Sequence, residues 1–228
     1  MFGPNTDIMT NIVTDFSHRD IHFINLYKDL SNIMLDNAGL HRHKYDVLFM
    51  GGSGTLAIES VFWSMLKPIE VIGNEGLWYN KWIELARRQP KSKTNGTHKL
   101  YCQLETSNGK TFDEPDCIVD GVSSYPYYDI PKNTKIFVTC SNKQLGSLAG
   151  LSIIFVRKDL WNEMQTDAIF SYMNLARYKK YGFIGQTPST APVTIFQHLQ
   201  EQMVKFDVEK LRKKIDDNSE LLNIICTD

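Results

Sequence analysis

No stretch of the 228-residue chain approaches the roughly 18 consecutive apolar residues that a membrane-spanning helix needs, so no span is expected. The start, Met1-Phe2-Gly3-Pro4-Asn5-Thr6-Asp7, has neither a basic segment nor an apolar run after it. A secretory leader is therefore not expected, and a cytoplasmic setting is. Cysteine is scarce: Cys102, Cys117, Cys140 and Cys226 form no CxxC pair and no Cys/His ligand spacing. That excludes the familiar zinc patterns and leaves reduced thiols as the expectation. An excess of charge is missing too, since 25 Lys and Arg stand against 26 Asp and Glu. Nothing global then attracts nucleic acid or an anionic membrane, although a local site can still be positive. The chain has no Walker spacing, no GxGxxG, no internal repeat and no low-complexity tract. The sequon Asn95-Gly96-Thr97 has no function in a cytosolic chain.

What is present is an alternation. Residues 20–38 place Ile21, Ile24, Leu26, Leu30, Ile33 and Met34 at roughly helical spacing. The apolar run Tyr45–Met50 predicts a buried strand, and Leu56–Leu66 a helix closed by Pro68. Pro68–Gly73 predicts a strand, Asn80–Arg88 a helix and Lys91–Lys99 a loop. Further strands are expected at His98–Leu104, Cys117–Val119, Lys135–Thr139 and Ser152–Val156. From Asp159 the chain reads as mainly helical, broken over Gly182–Pro192, with a charged helical tail after Lys205. Strands alternating with helices predict an α/β fold with a mostly parallel sheet flanked by helices.

Three motifs carry chemistry, each directly after a predicted strand. Gly52-Ser53-Gly54-Thr55 leads into a helix, where free amides, the helix dipole and two hydroxyls suit a phosphate. The same residues also suit a plain tight turn. Asp120, in Val119-Asp120-Gly121-Val122-Ser123-Ser124, lies where open α/β sheets meet ligands, and could hold a protonated ring nitrogen. It could equally be a solvated loop carboxylate. Lys143, in Thr139-Cys140-Ser141-Asn142-Lys143, could form a Schiff base if burial desolvates it, or be one more surface lysine. Taken together, a phosphate turn, a carboxylate and a lysine are the set that pyridoxal phosphate chemistry requires.

At this point the chain resembles the class V aminotransferases, within the fold-type-I pyridoxal-phosphate enzymes. The likeness runs through six segments in order: Asp15–Phe23 with His18-Arg19; Gly52–Thr55 followed by Glu59; Gly76-Leu77-Trp78; Glu105-Thr106-Ser107-Asn108-Gly109; Asp120–Ser124; and Ser141-Asn142-Lys143. A further segment, Gln186-Thr187-Pro188-Ser189-Thr190, is similar to one that reaches the phosphate of a partner subunit. The resemblance implies pyridoxal 5'-phosphate as cofactor, with Lys143 and Asp120 as the catalytic pair. It assigns the phosphate to Ser53, Gly54, Thr55 and, across a homodimer, Thr187. Trp78 would stack on one ring face and Val122 cover the other, Thr106 would lie near the phenolic oxygen, and Asn142 would precede the lysine. No metal is implied.

The Ser-Asn-Lys triplet is similar to that of 2-aminoethylphosphonate–pyruvate transaminases. The expected partners are therefore a small amino donor and a keto-acid acceptor. Alternatives are another class V activity of the serine or alanine–glyoxylate type, or a silent relative acting as a binding subunit. The chain departs from the pattern in three places. The stretch from Trp78 to Thr106 is short by a strand–helix unit, which would belong at the sheet edge. The stretch from Thr106 to Asp120 is short by a covering helix, which would bare apolar sheet for a partner to cover. The expected division is a large domain over 1–205 and, over 206–228, the helical start of a truncated C-terminal region. The arginine that usually meets the substrate's acid group is thereby lost, and neither Arg157 nor Arg177 is assigned that part.

Overall fold

The computed structural model describes residues 16–89, 96–166 and 171–226. The readings for residues 1–15, Lys91–Asn95 and the side chain of Cys226 lie outside the described residues. The chain folds as α1 (Ile21–Asn37), β1 (Tyr45–Gly51), α2 (Gly54–Ser64), β2 (Ile69–Val71) and α3 (Leu77–Arg88). Then come β3 (His98–Cys102), a small hairpin of β4 (Leu104–Glu105) and β5 (Lys110–Thr111), β6 (Ile118–Asp120), β7 (Ile136–Cys140) and β8 (Leu151–Arg157). A short 3-10 helix at Lys158–Glu163 leads on to α4 (Leu175–Phe183), α5 (Val193–Val204) and α6 (Val208–Cys226).

The main sheet has the order β1-β8-β7-β6-β3-β2. Only β8 runs against its neighbours, so five of the six strands point the same way. Alternation along the strands sorts side chains to two apolar layers. Phe137, Ile153 and Phe155 face the layer covered by α1 and α5, where Phe23 meets Phe196 at 5.0 Å between ring centroids. Ile136, Val138, Ile154 and Val156 face the layer covered by α2, α3 and α4. The helix α1 starts where Asp20 accepts from the amide of His22 at 2.8 Å, and it buries Phe23, Leu26, Tyr27, Leu30 and Met34 on one stripe.

Among the described residues β2 is the sheet edge on the shortened side. Gln89, just after α3, closes part of that edge. Its Oε1 accepts from the amide of Ile69 at 2.9 Å, and its Nε2 donates to the carbonyls of Phe62 and Lys67 at 3.1 and 3.2 Å. The expectation of bared apolar sheet is corrected here. Tyr101 and Val119 are fully buried, and Phe112, carried in just after β5, packs on Tyr101 at 5.0 Å. A hairpin and one aromatic ring thus cover what a helix would have covered.

Candidate active site

Parallel strands bring their C-terminal ends to one rim of the sheet. Cys102, Asp120 and Cys140 are the last residues of β3, β6 and β7, and Ser53 follows β1 by two residues. A cavity of about 360 Å3 opens there. It gathers nine of the ten sequence-predicted residues: Ser53, Gly54, Thr55, Trp78, Thr106, Asp120, Val122, Asn142 and Lys143. Thr187 is not among its walls; it is buried, and its hydroxyl donates to the carbonyl of Ser189 at 2.7 Å. A cavity of about 540 Å3 between α1, α4 and β1 holds none of these residues.

The phosphate-type turn is built at the start of α2. Ser53 is the N-cap and its Oγ accepts from the amide of Leu56 at 3.3 Å. No acidic residue sits in the first turn, so the positive end of the helix dipole is not neutralised from within. Ser152 fixes the turn by donating to the carbonyls of Gly52 and Ser53 at 3.1 and 2.7 Å. Gly54 has to be glycine because a Cβ there would lie 2.4 Å from Cγ2 of Val122. The turn and the Val122 side chain therefore touch across the cavity.

Trp78 is delivered by α3, whose N-cap, Gly76, has no side chain to offer. Glu105 supplies the cap from β4: its Oε2 accepts from the amides of Trp78 and Tyr79 at 3.0 and 3.1 Å. Its Oε1 accepts from the amide and hydroxyl of Ser107 at 3.1 and 2.6 Å. Burial alone would raise this carboxyl, but the four bonds outweigh it and hold it below the usual carboxylate range. A Cβ on Gly76 would lie 2.3 Å from the Glu105 side chain. The indole Nε1 of Trp78 donates to Oγ1 of Thr106 at 3.0 Å, which joins two of the predicted residues directly.

Asp120 is 4% exposed, and no ion pair to it occurs among the described residues. Its Oδ1 accepts from the amide of Val122 at 3.1 Å and its Oδ2 from Nε1 of Trp82 at 2.9 Å. Burial nevertheless dominates and pushes its carboxyl up to about 6. The thiols of Cys102 and Cys140 are pushed up as well, first by burial and in part by the Asp120 charge, so both stay protonated walls. Cys102, Cys117 and Cys140 are free thiols.

Lys143 differs from the expectation of burial: it is exposed, in the turn after β7. It lines both the first cavity and an adjoining one of about 600 Å3. The two share Leu104, Thr106, Ser123, Asn142 and Lys143, and Tyr127, Tyr128 and the α6 residues Ile215, Asp216 and Ser219 wall the second. Arg212 fastens α6 there by donating to the carbonyl of Tyr127 at 3.0 Å and to Asp129 at 2.6 Å. The hydroxyl of Tyr127 donates to Asp216 at 2.5 Å. Among the described residues Lys143 is the only cationic side chain lining either cavity.

His18 and Arg19 lie elsewhere. His18 borders a depression with Thr190 and Ala191, where its Nε2 is buried without a partner, and Arg19 donates to Gln186 at 3.1 Å. Arg157 sits at the opposite end of the sheet, paired with Asp116 and Asp159 at 2.7 and 2.8 Å. Sequence reasoning missed two residues. Glu105 stood inside a quoted motif with no part assigned, and Trp82 follows Trp78 by one helical turn, a spacing that puts both on one face.

Known structures with this architecture bear on the arrangement. The alanine–glyoxylate aminotransferase of Nostoc sp. superposes with a TM-score of 0.79 over 96% of this chain and 70% of its own, at 16% identity. The phosphoserine aminotransferase of Cytophaga hutchinsonii gives 0.74 over 92% and 68%, at 20% identity. The pyridoxamine–pyruvate aminotransferase of Mesorhizobium loti gives 0.76 over 93% and 66%, at 17% identity. The fold is that of the fold-type-I large domain. No family model matches the chain. In sequence, the soluble hydrogenase 42 kDa subunit of Anabaena cylindrica is 24% identical over 235 aligned positions, 84% of this chain. The chain spans 61% of that curated relative's length.

Proposed function

We propose that the chain holds pyridoxal 5'-phosphate in the cavity at Lys143 and acts as an aminotransferase. The observation that carries this reading is Asp120. A buried carboxylate with no ion-pair partner among the described residues, on the wall of a cavity, is costly unless a ligand supplies the positive group. A protonated pyridine nitrogen is such a group. The donor set around it fits the rest of the cofactor: an un-neutralised helix start with Ser53 and Thr55 for a phosphate, a flat indole at Trp78, and an amine at Lys143. The fold shared with aminotransferases supports the same reading.

Bound pyridoxal phosphate supplies an electron sink for the carbon that carries the substrate amine. Asp120 holds a proton at the ring nitrogen, so the sink stays effective. Lys143 Nζ is the amine that would hold the cofactor covalently, and as a free amine it would carry a proton from the substrate carbon and return it. The α2 amides, Ser53 and Thr55 would hold the phosphate, and Trp78 and Val122 would hold the ring. Asn142 orients the lysine turn. Thr187 would serve the phosphate of a second copy, which makes the proposed working unit a homodimer.

In the finer reading the donor is 2-aminoethylphosphonate and the acceptor pyruvate, after the Ser141-Asn142-Lys143 triplet. One observation favours a second reading, a class V aminotransferase of the serine or alanine–glyoxylate type. With Lys143 the only cation on either cavity wall among the described residues, and Asp216 on the second, nothing pairs a phosphonate dianion. The test is to add pyridoxal phosphate, reduce with borohydride, and locate the added mass; it is expected on Lys143. A label on other lysines alone, or none, refutes the cofactor reading. Absorption changes on adding 2-aminoethylphosphonate, serine or alanine then separate the donors, and no change with any of them favours the silent binding subunit.

A further inference from the structure

The geometry points to Trp82 as a positioning residue: its indole N–H fixes the carboxylate of Asp120 for the ring nitrogen of the proposed cofactor. This rests on the reading above, but part of its test does not. Trp82 is 1% exposed and Asp120 4%, and the indole Nε1 reaches Oδ2 at 2.9 Å. Both line the cavity. The other oxygen, Oδ1, accepts from the Val122 amide at 3.1 Å. A carboxylate with one donor on each oxygen cannot swing about its χ2 bond, and each oxygen keeps a lone pair for a third donor from the cavity.

Trp82 does this from the helix that also carries Trp78. The two rings lie 5.8 Å apart at 30°, one turn apart on α3. The Glu105 cap fixes the start of that helix. One rigid element therefore sets both the ring-stacking face and the orientation of the acid that meets the ring's nitrogen. A helix shift that moved one would move the other in register.

The charged and titratable groups around Asp120 do not duplicate the role of Trp82. From β4, Glu105 opposes the negative form, and from α3, Lys81 favours it weakly. Cys102 on β3 and Cys140 on β7 are protonated neighbours. Lys143 shares the cavity from the turn after β7. Trp82 is the one side-chain hydrogen-bond donor to the acid among the described residues.

The test compares Trp82→Phe with Trp161→Phe. Trp161 is also a buried indole donating to an aspartate, Asp46 at 2.7 Å near the start of β1, and neither residue lines the cavity. Both variants lose one charge-assisted bond and the same ring volume. The first readout needs no cofactor: carbon NMR of the Asp120 carboxyl in the free protein. Its midpoint is expected to rise in Trp82→Phe and to stay at the wild-type value in Trp161→Phe. The second is pyridoxal phosphate affinity near pH 7, expected to fall about tenfold or more in Trp82→Phe alone, the size of one charge-assisted bond. An unchanged Asp120 midpoint in Trp82→Phe overturns the inference. So does equal loss of affinity in both variants, which would mean packing alone. If the wild-type protein binds no pyridoxal phosphate, the cofactor reading falls, while the carboxyl midpoint still decides whether Trp82 holds Asp120.

Discussion

Replacing Asp120 by Asn removes the one buried acid among the described residues whose titration the fold displaces upward, and the consequence is a change in how stability depends on pH. The carboxyl moves from 3.8 to about 6 on folding, so in the interval between these values the unfolded chain has released a proton that the folded chain keeps. Stability therefore falls as pH rises through that interval, because ∂ΔG/∂pH follows the difference in bound protons, here negative. A displacement of roughly 2 units corresponds to about 3 kcal/mol, fully present as a penalty above pH 6 and absent below pH 4. The assay is urea denaturation of the cofactor-free protein at half-unit steps from pH 4 to 7, wild type against Asp120→Asn. The Asn variant carries a constant offset, since two donors now compete for one carbonyl, but it lacks this pH-dependent loss. The wild-type curve is expected to descend relative to it by up to about 3 kcal/mol. Parallel curves would refute the argument, for they would mean that Asp120 is not buried unpaired. Saturating pyridoxal phosphate should abolish the descent if a ring N–H pairs with the acid.

Four other outcomes follow from the same geometry. Lys143→Ala should leave no borohydride-trapped cofactor by mass spectrometry while keeping the wild-type denaturation midpoint, because the side chain is exposed. Gly54→Ala should destabilise by about 1–3 kcal/mol through its clash with Val122, and adding Val122→Ala should restore much of the loss. Glu105→Ala strips the cap from α3 and leaves two half-buried amides unpaired, a loss of about 1–3 kcal/mol by denaturation. Gln89→Ala should cost about 1 kcal/mol and raise the tendency to self-associate, read by light scattering, since it reopens the amide of Ile69 at the sheet edge.

The elements were legible because their signals are local. The apolar runs Tyr45–Met50 and Ile136–Val138 mark strands with no knowledge of their neighbours. The turn at Ser53, Asp120 and Lys143 were legible because each stands at or just after the end of a strand, and parallel strands carry such positions to one rim. Three features were not readable, each for a physical reason. Glu105 caps a helix that begins 28 residues before it, and no sequence window spans that distance. Lys143 was expected to be desolvated, yet the turn after β7 leaves it facing two open cavities. The bared sheet expected from a lost helix is covered by Phe112, a residue whose role depends on the hairpin that precedes it.

The paired indoles on α3 have an optical consequence. The chain contains four tryptophans, and two of them, Trp78 and Trp82, stand in the walls of one cavity with their rings 5.8 Å apart. At that spacing excitation passes between them faster than either emits, so whatever settles against Trp78 also darkens Trp82. Ultraviolet emission from the unlabelled protein thus reports occupancy of this cavity, with Trp63 and Trp161 as a steady background.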